Sequence, residues 1–133
     1  MEENKDIRWK QRFQNFEKAF ILLRNSLEAK SFSIVERAGI VQIFEFTFEL
    51  GWKTLKDYLE EQGVKAAFPR DVIKEAFRSQ LIEDGDTWMD MLDKRNLMAH
   101  TYDEDKAELA FRLIQEKYFA AIEKLHTKLN QVQ

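Results

Sequence analysis

Phe44-Glu45-Phe46-Thr47-Phe48-Glu49-Leu50-Gly51-Trp52 is apolar nearly all the way round a helical wheel. A helix at the edge of a protein keeps one polar face, whereas a helix that is apolar on most sides is enclosed by others. The stretch is therefore read as the middle of a central helix. Ser33 and Glu36 have capping-box spacing at its start, and Gly63 suits the position just past its end at Glu61. Val41, Phe48, Trp52, Leu55 and Leu59 follow a four-three seam, and Glu45 falls in that seam where an apolar residue belongs. A buried carboxylate without a partner costs on the order of several kcal/mol. Glu45 is thus a candidate to pair with a cation across the core, the alternative being a wet interface or a helix crossing.

Outward from this helix, apolar residues recur at helical spacing almost throughout, and four Gly and one Pro offer few breaks. The pattern predicts an all-α chain of five helices without strands. The first helix is expected over Asp6 to Ala29, with Ile7, Phe13, Phe16, Phe20, Leu23 and Leu27 as its stripe and Arg8, Arg12, Lys18 and Arg24 mostly outside it. A short third helix starts at Phe68-Pro69-Arg70-Asp71 and faces Val72, Ile73, Ala76 and Phe77 inward. The acids of Glu83-Asp84-Gly85-Asp86 lack calcium-loop spacing and its terminal Glu, so no metal is expected there, and Asp86 reads as an N-cap.

The fourth helix, expected from Asp86 to Ala99, has Trp88, Met91, Leu92, Met98 and Ala99 as its stripe. The fifth runs from about Asp103 to Leu129, behind a capping-box spacing of Thr101 and Glu104. Leu109, Ala110, Leu113, Ile114, Tyr118, Ala121, Ile122, Leu125 and Leu129 are its inward set, and His126 is read as solvated near a Lys-rich end.

Composition narrows the function. The chain has 133 residues, 44% of them hydrophobic, including eleven Phe and three Trp. That suffices for one globular domain over 1-133 with a real core. No apolar run approaches a membrane span, the first twenty residues carry acids unlike a signal peptide, and there are no cysteines. A cytoplasmic location is the resulting expectation. The net charge of −3 argues against broad phosphate neutralisation along a nucleic acid, leaving a small local site or a partner that brings positive charge.

Arg95-Asn96-Leu97-Met98-Ala99-His100-Thr101-Tyr102 is where polar chemistry concentrates. Arg95 lies within an apolar stripe, so its guanidinium must be paired, snorkelled or functional. Asn96 and His100 are four apart and share a face if the helix persists, which would let the carboxamide orient the imidazole. Arg95 and His100 are five apart, roughly 140° around an ideal helix. They converge only if the helix ends near His100 or a second copy supplies one of them, which points to a dimeric site. Metal-free RNA cleavage needs a base for the 2′-hydroxyl, an acid for the leaving oxygen and a cation on the phosphate. Histidine and arginine suit those tasks. Tyr102 is placed to contact a nucleotide or accept a modification.

The same eight residues resemble the Arg-polar-x-x-x-His-x-Tyr motif of HEPN-domain proteins. Phe44 to Leu55, Pro69-Arg70-Asp71-Val72-Ile73-Lys74-Glu75-Ala76-Phe77 and Trp88-Met89-Asp90-Met91-Leu92-Asp93-Lys94-Arg95-Asn96 resemble the branch of nucleotidyltransferase substrate-binding proteins. The likeness runs from about Phe13 into the last helix. It implies an up-and-down bundle of four to five helices that forms homodimers, with a separately encoded minimal nucleotidyltransferase as companion. It further implies a metal-independent endoribonuclease toxin without cofactor, acting on RNA and silenced when the companion adds adenylate to the motif tyrosine. Carried over, Arg95 and His100 are catalytic, Asn96 is supporting and Tyr102 is modified. The alternative for this branch is a non-catalytic subunit that presents substrate to its companion.

Overall fold

The computed structural model describes residues 2–133, with side chains from residue 6 onward. Helix α1 spans Glu2–Ser26, α2 Ile34–Glu61, α3 Pro69–Arg78, α4 Gly85–Asp93, α5 Arg95–Met98, α6 Glu104–Leu113 and α7 Phe119–Val132. A π-helical segment, Ile114–Tyr118, joins α6 to α7. No strand occurs among the described residues. The expected five helices are thus present, two of them interrupted: the fourth at Lys94 and the fifth at the π segment.

Helix α2 is the centre, packed against α1, α3, α5, α6 and α7. Its start carries the expected capping box: the Glu36 amide donates to Ser33 Oγ and the Ser33 amide donates to Glu36 Oε1. Its end closes at Gly63, whose φ of +85° only glycine adopts without strain, with the Val64 amide reaching back to the Leu59 carbonyl. Val41, Phe44, Phe48, Trp52, Leu55 and Leu59 are all buried along it. Burying one such side chain stabilises by roughly 1.5–3 kcal/mol. Helices α1 and α2 run antiparallel, since Arg8 and Arg12 near the start of α1 pair with Glu60 and Asp57 near the end of α2. Arg12 Nε lies 2.6 Å from Asp57, a buried carboxylate, so one of the arginines expected outside the stripe joins the packing.

Several local expectations need correction. The buried face of α1 is Trp9, Phe13, Phe16, Phe20 and Leu23, whereas Ile7 is exposed. Ile7 lies two residues from Trp9, roughly 200° around the wheel, so the two cannot share a stripe. In α3, Phe77 is exposed, one position beyond the buried Ala76. Helix α4 starts at Gly85, so the N-cap is Asp84 rather than Asp86, and its side chain makes no capping bond. Helix α6 is capped by Asp103, whose carboxylate accepts from the Asp105 and Lys106 amides, because Thr101 lies inside the preceding turn. Leu109 is exposed, while Ala107, Ala110, Phe111 and Ile114 carry the buried face.

His126 is not solvated. Its ring stacks on Phe20 at 4.4 Å and Phe13 at 5.6 Å, and Nε2 lies 2.8 Å from Glu17 of α1. Crossing α1 over α7 covers a histidine that linear position alone leaves at a helix end. No helix among the described residues is long and apolar enough to cross a membrane.

Candidate functional site

The site begins where α4 stops. Lys94 takes φ −87° and ψ 5°, closing α4 and opening α5 at Arg95. Helix α5 lasts one turn and then tightens, with the Ala99 amide bonding to the Arg95 and Asn96 carbonyls and the His100 amide to the Leu97 carbonyl. A turn from His100 to Asp103 follows, closed by the Asp103 amide on the His100 carbonyl at 3.0 Å. Helical geometry therefore ends just before His100.

That ending separates Asn96 from His100. Asn96 is exposed, and the imidazole bonds elsewhere: His100 Nδ1 lies 2.9 Å from the Tyr102 hydroxyl, with the rings edge-on at 5.4 Å. Either Nδ1–H donates to the phenol oxygen or the phenol donates to Nδ1. In both arrangements Nε2 is the nitrogen left for a ligand. Tyr102 is 82% exposed, so its hydroxyl is reachable from solvent.

Arg95 reaches onto α2. Its Nη1 lies 3.0 Å from Glu49 Oε1, and the second Glu49 oxygen accepts from Trp52 Nε1 at 2.9 Å. The carboxylate that meets this cation is therefore Glu49, one turn further along α2 than Glu45, the candidate read from the sequence. Glu45 still lies nearby, because Glu45, Glu49 and Arg95 rim a hollow of about 210 Å³ over Phe44, Phe48 and Met98. Burial, and then the Glu49 carboxylate, push the Glu45 carboxyl above its ordinary value. Glu45 is thus half-buried at the edge of this hollow. His100, Asn96 and Tyr102 do not line this hollow. Among the described residues no three His, Cys, Asp or Glu are grouped to hold a metal ion.

A second polar cluster underlies Lys94. Asp90 accepts a hydrogen bond from the Tyr118 hydroxyl, holds Lys94 Nζ at 2.9 Å and has Lys117 Nζ at 3.8 Å. The Tyr118 bond, ahead of the lysines, holds the Asp90 carboxyl below its ordinary value despite partial burial. Burial and the same bond push the Tyr118 phenol well up. Sequence reasoning placed Tyr118 in the core and passed over Asp90 and Glu49. The available signals were the four-residue spacings Glu45 to Glu49 and Asp90 to Lys94.

Comparison with known proteins agrees with this architecture. Residues 11–131 match the family described as nucleotidyltransferase substrate binding protein like. A probable ribonuclease HepT from Haemophilus influenzae is 36% identical over 84 residues, which is 59% of this chain and 58% of that protein. The match thus spans little more than half of that relative. A crystal structure of a Thermus thermophilus protein superposes with a TM-score of 0.78 at 36% identity, covering 86% of this chain and 98% of the other. A Haemophilus influenzae structure, described as the fold of a substrate binding domain of a nucleotidyltransferase, gives 0.68 at 30% identity, covering 92% and 97%.

Proposed function

We propose a function from one premise: the chain belongs to the nucleotidyltransferase substrate binding protein-like family. The proposal is a metal-independent endoribonuclease, acting as a toxin, that a companion minimal nucleotidyltransferase neutralises. The observation that carries it is His100, seated on an exposed turn one helical turn past Arg95, with Nδ1 engaged by Tyr102. Support also comes from the Haemophilus relative named a probable ribonuclease HepT.

In this reading His100 Nε2 takes the proton of the 2′-hydroxyl. The 2′-oxygen attacks the adjacent phosphorus, the bond to the 5′-oxygen breaks, and that oxygen receives a proton. The products are a 2′,3′-cyclic phosphate and a 5′-hydroxyl. Arg95 neutralises the phosphate as charge accumulates on it. Phosphate competes with Glu49 for the guanidinium, a contest in which exposure of both side chains favours exchange. In a homodimer that brings two copies of the turn together, the second His100 donates a proton to the leaving 5′-oxygen. Asn96, exposed beside Arg95, supports RNA binding from the same turn. An adenylate on Tyr102 would add charge and bulk against His100 and exclude RNA phosphate.

A second reading, a non-catalytic subunit that presents substrate to a nucleotidyltransferase, is favoured by the acidic net charge and by the likeness to the Haemophilus structure described as a nucleotidyltransferase substrate binding domain. The deciding experiment is RNA cleavage in EDTA by wild type, Arg95→Ala and His100→Ala, with folding and unmodified Tyr102 checked first. Cleavage by wild type alone is the expected result. No cleavage by any of the three supports the binding subunit, and light scattering that finds active monomer overturns the dimeric site.

A further inference from the structure

We infer that Asp90, clamped to Tyr118 on the π-helical segment, is a positioning residue that sets the break at Lys94 and hence where Arg95 and the His100 turn are presented. The inference rests on the ribonuclease reading for what is being positioned, and on separate geometry for how.

The π segment is the first part of that geometry. A π turn is wider than an α turn and is rare, occurring mostly as single turns where an extra residue is accommodated. Here it spans Ile114–Tyr118 and ends on Tyr118, which is fully buried, stacks on Phe44 of α2 at 5.6 Å and donates its hydroxyl to Asp90 of α4. Tyr118 follows Ile114 and precedes Ile122, Leu125 and Leu129 at three- and four-residue steps, so it lies on the buried face that runs from α6 into α7.

Asp90 is the second part. Of its two oxygens, one takes the Tyr118 hydroxyl and the other the Lys94 ammonium. Lys94 is the residue whose backbone ends α4 and begins α5. The backbone amide of Lys94 also bonds to the Asp90 carbonyl at 2.9 Å, so Asp90 grips the break through both main chain and side chain. The link therefore runs from the last helix, through Tyr118 and Asp90, to the residue next to Arg95. A misplacement of about an ångström at a reacting group can cost on the order of a hundredfold in rate. Such a link is then worth more to rate than to stability.

The test uses Tyr118→Phe, Asp90→Asn and the double variant of the full chain. Single-turnover RNA cleavage and RNA affinity are measured, together with NMR of the Arg95 Nε–Hε and His100 ring resonances without RNA. The expected result is a rate lower by roughly tenfold or more in each single variant, little change in affinity, and no further loss in the double variant, because both substitutions remove one link. The Arg95 and His100 resonances should shift, and more than those of His126 on α7. Wild-type rate with unmoved Arg95 and His100 resonances overturns the inference, and so does a loss confined to thermal stability. If wild type cleaves no RNA, the ribonuclease reading fails, and the resonances alone decide whether Asp90 and Tyr118 position the turn.

Discussion

Arg95 of α5 and Glu49 of α2 form an ion pair at 3.0 Å, with the Glu49 carboxylate held from its other side by the Trp52 indole. The pair spans the junction between the central helix and the turn that carries His100. Both side chains are substantially exposed, at 48% and 38%, so water screens their attraction.

An exposed pair of this kind contributes less than about 1 kcal/mol to folding. Glu49→Gln keeps an oxygen for the Trp52 indole and removes only the charge. It should leave the urea midpoint nearly unchanged while strengthening phosphate binding at Arg95. A loss of several kcal/mol would mean that the pair carries the helix contact instead.

Glu45 should respond to pH in the opposite sense from a paired carboxylate. Burial and Glu49 raise its folded value above the ordinary 4.5. A raised acid favours folding while protonated, so its contribution is intact below the unfolded value and is lost as pH rises through the folded one. Ionised Glu45 is then a net cost near neutral pH. Glu45→Gln should raise Tm near pH 7 and lose that advantage near pH 4, and an equal effect at both would contradict the sign.

Gly51 and Gly39 lie in the same helix and should behave oppositely. A Cβ on Gly51 would sit 3.1 Å from Phe16, 3.5 Å from Trp88 and 3.6 Å from Leu125, whereas at Gly39 it meets nothing within 4 Å. Alanine gains about 1 kcal/mol of helix propensity over glycine. Gly39→Ala should collect most of that gain. Gly51→Ala must also shift the Phe16 ring in a filled core, a cost of about 1–3 kcal/mol, and should lower Tm.

Gln80 ends α3 with φ +62°, and the Leu81 amide reaches back to the Ala76 carbonyl as in a glycine-terminated helix. A side chain in this left-handed region is strained by about 1–2 kcal/mol, partly offset by the greater freedom glycine has when unfolded. Gln80→Gly should therefore stabilise by up to about 1 kcal/mol in chemical denaturation. A destabilised variant would show that the Gln80 side chain makes up for its backbone.

Much of the bundle was legible in the chain. Ser33 with Glu36 and Gly63 bounded α2 because caps depend on neighbours three or four residues apart. The seam from Val41 to Leu59 placed α2 at the centre because enclosure demands apolar residues on most sides. The helical content came from the same local regularities, whereas the eight residues bearing Arg95, His100 and Tyr102 stood out by their polar chemistry and by resemblance. Pairings between helices did not. Glu49 rather than Glu45 meets Arg95, Tyr118 meets Asp90 over the π segment, and His126 is covered by Phe13 and Phe20. Each of these depends on how two helices cross and on where one of them breaks, and a shift of one residue turns a side chain by roughly 100°. Periodicity determines which face of a helix is buried, and only the packed structure decides which residue stands opposite.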